Sequence, residues 1–444
     1  MTEEKMSGEE IVRLCKEHTM YTWMKGEAAD PLPIDRAEGV YMYTSDGHKV
    51  LDFNSQLMCV NIGHGHPKVI EAIKRQADKL TYVYPGTATE SRARLGKLLS
   101  EVTPGDINTF FFTLGGAEAN ENALKAVRLF TGKQKVITRY RSYHGATNAM
   151  MSLTGDPRRW HNEPGMPGVI RVMDPSPYHY SFGESDEEKT RNNLKYLEEV
   201  IMYEGPDHIA AMFIESVTGT NGVLPPPKGY LQGLRKLLDK YGILLVCDEV
   251  MAGFGRTGKM YAFEHGDIVP DIVTMAKGLT SSYLPLGAMG VSDRIAAHFR
   301  KNVFWGGLTY NAHAMGAAAA IAAIEVLRDE NLLENSVEMG KIMRAEMDRM
   351  IEKHPSAKCG RQIGLFGMMD IQKNSAGELI APYNGTHPAM EELKAHFRAN
   401  NMFTFVRWSH FMCNPPLCIN EQQIRDAFAI IDTGLDITDR AFEG

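Results

Sequence analysis

The chain predicts an α/β fold: a mostly parallel central sheet sandwiched by helices, with a smaller α+β unit built from both ends of the sequence. Three observations carry this. Short apolar runs in the middle of the chain alternate with stretches of helical periodicity. Those runs are almost continuously apolar, which marks strands buried on both faces of a parallel sheet. Beyond Tyr310 the pattern turns strongly helical, with only short strand-like runs between the helices.

Residues 1–60 supply the N-terminal part of the smaller unit, with short strands expected at 40–43 and 50–53. Residues 61–325 form the large unit, with strands predicted at 109–112, 135–139, 210–215, 242–248 and 272–276. The clearest helix there, 229–241, aligns Leu231, Leu234, Leu237, Leu238 and Tyr241 on one face, and Gly242 ends it. Residues 326–444 complete the smaller unit. Helices are expected at 312–327, 332–353 and 421–436, and short strands near 364–370 and 403–406. No internal repeat or low-complexity tract interrupts this order.

Composition narrows the function. The chain has 444 residues, is 43% hydrophobic and 23% charged, and carries a net charge of −7. Those are the proportions of a globular protein. The acidic balance argues against nucleic acid, which needs a basic face. No run approaches the roughly 18 apolar residues of a membrane span. Residues 1–10 are polar and acidic, unlike a secretory leader, so a cytoplasmic setting is expected. The six cysteines are scattered without CxxC pairs and read as reduced thiols. His64 and His66 in Gly-His-Gly-His-Pro lack a third nearby ligand and read as a turn; no metal is expected there or at Cys413 and Cys418.

In a parallel sheet the ligand site lies beyond the carboxyl ends of the strands, and three strand ends carry chemistry. The run Ile-Leu-Leu-Val-Cys ends in Asp248. A carboxylate there either caps a turn or serves a cationic ligand atom. The run 272–276 ends in Lys277, where partial desolvation lowers an amine's pKa and makes it nucleophilic. The strand at 109–112 passes through Gly115, Gly116 and Ala117 into a helix, whose free N–H groups suit a phosphate. Gly253-Phe254-Gly255-Arg256-Thr257-Gly258 matches GxGxxG by letter. It neither follows its strand directly nor opens a helix, so nicotinamide dinucleotide binding is rejected. Phosphate cradle, strand-end carboxylate and strand-end lysine together describe pyridoxal 5'-phosphate: Asp248 pairs with the ring nitrogen and Lys277 forms the Schiff base.

With these residues in view, the chain resembles the class III (omega) aminotransferases of pyridoxal-phosphate fold type I, over nearly its whole length. The resemblance rests on Cys-Asp-Glu-Val at 247–250, Gly-Phe-Gly-Arg-Thr-Gly at 253–258, Pro-Asp-Ile-Val at 270–273, Ala-Lys-Gly at 276–278 and Leu-Pro-Leu-Gly at 284–287. It implies Lys277 and Asp248 as catalytic groups. It implies Gly116, Ala117, Tyr143, His144, Glu215 and Val250 around the cofactor, with Tyr143 and Val250 on opposite ring faces. Thr309, in Gly-Gly-Leu-Thr-Tyr-Asn, is implied to bind the phosphate of a partner subunit, in a homodimer or a dimer of dimers. Arg407 resembles a mobile arginine that receives a substrate carboxylate, and Tyr21 and Trp23 resemble aromatic walls of the substrate pocket. There are departures too. Met251 stands where the family usually has glutamine, and Thr220 where the ornithine and GABA enzymes have a glutamate paired with arginine. The expected reaction moves an amino group from a small omega-amino acid, of taurine or β-alanine type, to pyruvate or 2-oxoglutarate; the alternatives are transfer from other omega-amines or diamines, or an aminomutase or racemase reaction on the same fold.

Overall fold

The structure, a computed structural model, describes residues 6–444; residues 1–5 of the polar N-terminal stretch lie outside them. Seven strands make the central sheet: β1 (Ile107–Thr113), β2 (Lys135–Arg139), β3 (Val169–Val172), β4 (Ile209–Glu215), β5 (Leu244–Asp248), β6 (Ile272–Met275) and β7 (Gly287–Ser292). Their spatial order is β1-β7-β6-β5-β4-β2-β3. The run from β6 to β3 is parallel throughout. Strand β7 is antiparallel to both its neighbours, β1 and β6. Hence β1 runs the same way as β6, and the carboxyl ends of all the other strands meet at one edge with the start of β7.

Alternation along the strands explains why both faces are covered. In β5, Leu245 and Cys247 enter one buried cluster, with Leu231, Leu234 and Leu238 of the helix Tyr230–Lys240. Leu244 and Val246 enter another, with Ala123, Leu124 and Val127 of the helix Gly116–Thr131. Each β5 side chain from Leu244 to Cys247 is therefore dry, as its continuous apolar run requires.

The five strands expected from the sequence are present; that at 135–139 keeps its bounds and the other four have shifted ends. Strand β5 begins at Leu244 rather than 242, because Gly242 sits at φ +63° and closes the preceding helix, donating to the Asp239 carbonyl at 3.2 Å. Strands β3 and β7 escaped the sequence reading. Gly-Ala-Met-Gly-Val-Ser in β7 carries two glycines, a poor strand signal. Its Gly290 is small for a reason: a Cβ there would meet the Phe110 ring at 2.7 Å.

The chain ends interleave. Strands Ile34–Glu38, Tyr41–Thr44 and Lys49–Asp52 form a sheet that Met402–Phe403 completes in parallel. A second small sheet orders Ala357–Ile363, Phe366–Ile371, His410–Cys413 and Val406–Arg407. The stretch expected as one strand near 364–370 begins at the turn of a hairpin, where Gly364 has φ +58°. No helix among the described residues is long and apolar enough to cross a membrane.

Candidate active site

A cavity of about 500 Å³ opens at the edge where the strand ends meet. Among the expected site residues, Gly116, Ala117, Tyr143, His144, Glu215, Asp248, Val250, Lys277 and Trp23 line it. Tyr21, Thr309 and Arg407 do not.

Asp248 ends β5 almost fully buried, at 4% exposure. Its Oδ2 accepts from Asn120 Nδ2 at 2.7 Å and pairs with His144 Nδ1 at 2.8 Å, while among the described residues Oδ1 accepts only the Val250 N–H at 3.1 Å. A carboxylate oxygen has two lone-pair sites. Oδ2 is saturated and Oδ1 keeps one free for a cationic N–H in the cavity. His144 thus stands against Asp248 and fixes it.

Lys277 follows β6 across Ala276. It adopts φ +40°, a left-handed conformation that costs a non-glycine residue about 1–3 kcal/mol. The tight turn Lys277–Leu279 holds it, with the Ser282 N–H on its carbonyl at 3.1 Å. The next residue must be glycine, since a Cβ on Gly278 would meet Asn61 Nδ2 at 2.6 Å. Burial is the main cause that lowers the ammonium's pKa from its ordinary value, against the pull of Cys59, Asp248 and Glu215. The amine is thereby biased toward its neutral, nucleophilic form.

The helix Gly116–Thr131 points its start into the same cavity. Its first N–H groups lack carbonyl partners within the helix and face the site with the positive end of the dipole. A Cβ on Gly116 would strike Val250 Cγ1 at 2.8 Å, so the glycine lets the valine wall and the anion cradle adjoin. Glu215, buried at the end of β4, accepts the Tyr143 N–H at 3.0 Å and the Gly219 N–H at 2.8 Å. It ties two loops of the rim together. Burial raises its pKa above the ordinary value, with Asp248 nearby adding to the rise.

Arg158, which the sequence reading missed, also lines the cavity. Its guanidinium lies 3.7 Å from the centre of the Tyr143 ring and 5.2 Å from that of Trp23. Trp23 meets Tyr143 edge-on at 6.1 Å. Arg158 Nε donates to Asp156 Oδ2 at 2.9 Å, and Nη2 donates to Thr220 Oγ1 at 3.0 Å. Thr220, noted as a departure, therefore hydrogen-bonds an arginine. Met251, the other departure, packs over Gly219, where a Cβ would meet its Sδ at 2.2 Å. Arg407 sits one layer further out, 3.7 Å from Asp156 Oδ2 and stacked 4.1 Å over Trp408. Tyr21 lies beside the Cys15 thiol of the helix Gly8–His18 instead of on the cavity wall. Thr309 is exposed, its carbonyl accepting from the Tyr82 hydroxyl at 2.9 Å.

The donor set fits pyridoxal phosphate: a helix start for the phosphate, a spare carboxylate lone pair for the ring N–H, two flat walls in Tyr143 and Val250, and a desolvated lysine. The GxGxxG stretch is used otherwise. Arg256, fully buried, donates from Nη1 to the Leu365 carbonyl at 3.1 Å and from Nη2 to Ser55 Oγ at 3.0 Å, so the run supports packing.

Comparison with known proteins agrees with this chemistry. The family profile described as aminotransferase class-III matches residues 24–435. The solved taurine:2-oxoglutarate aminotransferase from Bifidobacterium kashiwanohense, in complex with pyridoxal phosphate and glutamate, is 40% identical. Its alignment covers 98% of this chain and 99% of that one, with a TM-score of 0.95. A taurine–pyruvate aminotransferase of Bilophila wadsworthia is 33% identical, covering 83% of each chain. A putrescine–pyruvate aminotransferase of Pseudomonas aeruginosa is 32% identical, covering 91% of this chain and 90% of its own.

Proposed function

Since the chain belongs to the class-III aminotransferase family and its cofactor is pyridoxal phosphate, we propose that it moves amino groups from a short omega-amino acid, such as taurine or β-alanine, to a 2-oxo acid. The observation that carries this reading is Arg158. It is a cation on the cavity wall, ion-paired with Asp156, stacked on Tyr143 and hydrogen-bonded to Thr220. A donor whose acid group sits away from its amine can set that group on Arg158 while its amine reaches Lys277. Likeness to two taurine aminotransferases supports the same class. A diamine such as putrescine would bring a second cation against Arg158.

When bound, the cofactor supplies an aldehyde for the amine and a ring that accepts electrons. The chain supplies the rest. The helix start at Gly116 and Ala117 binds the phosphate. Asp248, its carboxylate fixed by Asn120 and His144, would hold the ring nitrogen. Tyr143 and Val250 would hold the ring. Lys277 Nζ, biased toward neutrality, takes a proton from the donor's nitrogen-bearing carbon and returns it one position away. Arg158 orients the donor's acid group, and Arg407, one layer out, serves the carboxylate of the 2-oxo acid.

The chain is further proposed to act as a homodimer in which Thr309 reaches the partner's phosphate. Thr309 is exposed and does not line the cavity of its own chain, and Trp305 and Tyr310, near it in sequence, are 71% and 53% exposed. A panel of donors against pyruvate and 2-oxoglutarate tests the substrate reading. Turnover of taurine or β-alanine at least tenfold faster than putrescine is expected. Turnover confined to diamines would reject it.

A further inference from the structure

A second cavity, of about 220 Å³, lies on the far side of the turn that carries Asp156 and Arg158. Gly155 borders it, and so do Arg141 and Asp174. Arg141 donates from Nε to the Asn221 carbonyl at 3.1 Å and from Nη1 to the Ser176 carbonyl at 2.9 Å. Nη2 shares the Asn221 carbonyl. All these acceptors are neutral, and the guanidinium forms no ion pair among the described residues. Asp174, 2% exposed, accepts the Ser176 N–H on Oδ1 at 2.9 Å. Its Oδ2 has no partner, and it too forms no ion pair among the described residues.

A buried cation and a buried anion thus border one space without touching. Unpaired buried charges are costly. Burial is the leading cause that lowers the Arg141 pKa and raises that of Asp174, and the charge of each, with Arg139 also acting on Asp174, offsets part of that shift across the space. The other charged residue on the wall, Arg159, is already engaged by Glu163 and by the Gly155 carbonyl. Four aromatic residues, Tyr140, Trp160, Tyr178 and Tyr383, also border it; Tyr178 and Tyr383 meet at 5.4 Å, and Trp160 and Tyr383 at 6.5 Å. Such rings attract an ammonium group through their faces.

We propose that this second cavity binds a small zwitterionic amino acid, its acid group on Arg141 and its ammonium on Asp174 against the tyrosine faces. A dicarboxylate would meet Asp174, and a diamine would meet Arg141; only a molecule with one charge of each sign satisfies both. The volume suits a solute of a few heavy atoms, below the usual range for larger ligands. The site is distinct from the catalytic cavity, and its existence does not depend on which donor that cavity takes.

The test is ¹⁹F NMR of the holoenzyme carrying 5-fluorotryptophan, without a 2-oxo acid so that at most one half-turnover occurs. Trp160 reports the second cavity and Trp23 the catalytic one, each assigned by its Trp→Phe variant. β-Alanine should shift the Trp160 resonance saturably, whereas propionate and propylamine, which lack one charge each, should not. Asp174→Asn, isosteric and still able to accept the Ser176 N–H, should weaken that response at least tenfold and leave the Trp23 response unchanged. Tyr178→Ala should also weaken it, which keeps the test open if Asp174→Asn folds poorly. No saturable Trp160 shift, an equal shift with propionate, or a response indifferent to both substitutions would overturn the proposal and leave the space to water. A silent Trp23 beside a responding Trp160 would count against the donor reading alone.

Discussion

Asn120 Nδ2 lies 2.7 Å from Asp248 Oδ2, and every polar atom of the Asn120 side chain is used. Its other amide hydrogen reaches the His144 carbonyl at 2.9 Å, and its Oδ1 accepts the Thr274 hydroxyl at 2.7 Å. Thr274, Asn120 and Asp248 form one buried chain of donors ending on the carboxylate. Asn120→Ala removes one hydrogen bond to a charged group, worth about 1.5–3 kcal/mol. We expect the first half-reaction, followed by stopped-flow absorbance, to slow about tenfold or more, and Thr274→Val to slow it less. Asp248→Asn should retain cofactor and lose most of that step. Unchanged rates in Asn120→Ala would remove the chain from the account.

Lys277 is held in a site that disfavours its charge, so it should destabilise the cofactor-free chain. Its folded pKa lies below the ordinary value, and the unfolded chain binds more protons between the two. Stability then rises with pH across that window; the cost is full below the folded pKa and gone above the unfolded one. Lys277→Met should raise Tm of the cofactor-free protein at pH 7.5, and the gain should shrink toward pH 10. A gain independent of pH would point to packing instead.

Arg158→Leu is expected to raise KM for taurine or β-alanine at least tenfold while sparing an uncharged arylalkylamine donor. Arg407→Ala should act mainly on the 2-oxo acid. Because Arg158 also stacks on Tyr143, cofactor affinity must be measured alongside. Equal losses for charged and uncharged donors would make Arg158 structural.

Thr309→Ala chains mixed with Lys277→Ala chains offer a geometric test of the dimer. If Thr309 serves the partner's site, a mixed dimer puts both lesions in one site and leaves the other whole. Roughly half of wild-type activity per dimer should return. A verified mixed dimer without activity would refute the cross-subunit contact.

Much of the fold was legible because the apolar runs that form β2, β4, β5 and β6 leave no other burial pattern for those residues. Asp248, Lys277 and the Gly116 cradle followed from their positions just beyond strand ends. What stayed hidden lacked a local signal. Strand β7 is rich in glycine, and β3 is a four-residue edge strand interrupted by Arg171. Arg158 sits in Asp-Pro-Arg-Arg-Trp, where nothing local separates the arginine on the catalytic cavity from Arg159, which faces the second one. Thr274 was the missed clue, a polar residue within an apolar strand that must find a buried partner and finds Asn120. Arg407, recognisable by resemblance, folds one layer outside the wall because Asp156 and Trp408 hold it there.

If the strand-end lysine is the covalent anchor of the cofactor, borohydride reduction of the holoenzyme followed by peptide mass mapping will find the cofactor's mass on the peptide containing Lys277, and Lys277→Ala will lose it while the helix cradle still binds cofactor reversibly. A reduced adduct on another lysine, or one that persists in Lys277→Ala, would contradict that anchoring.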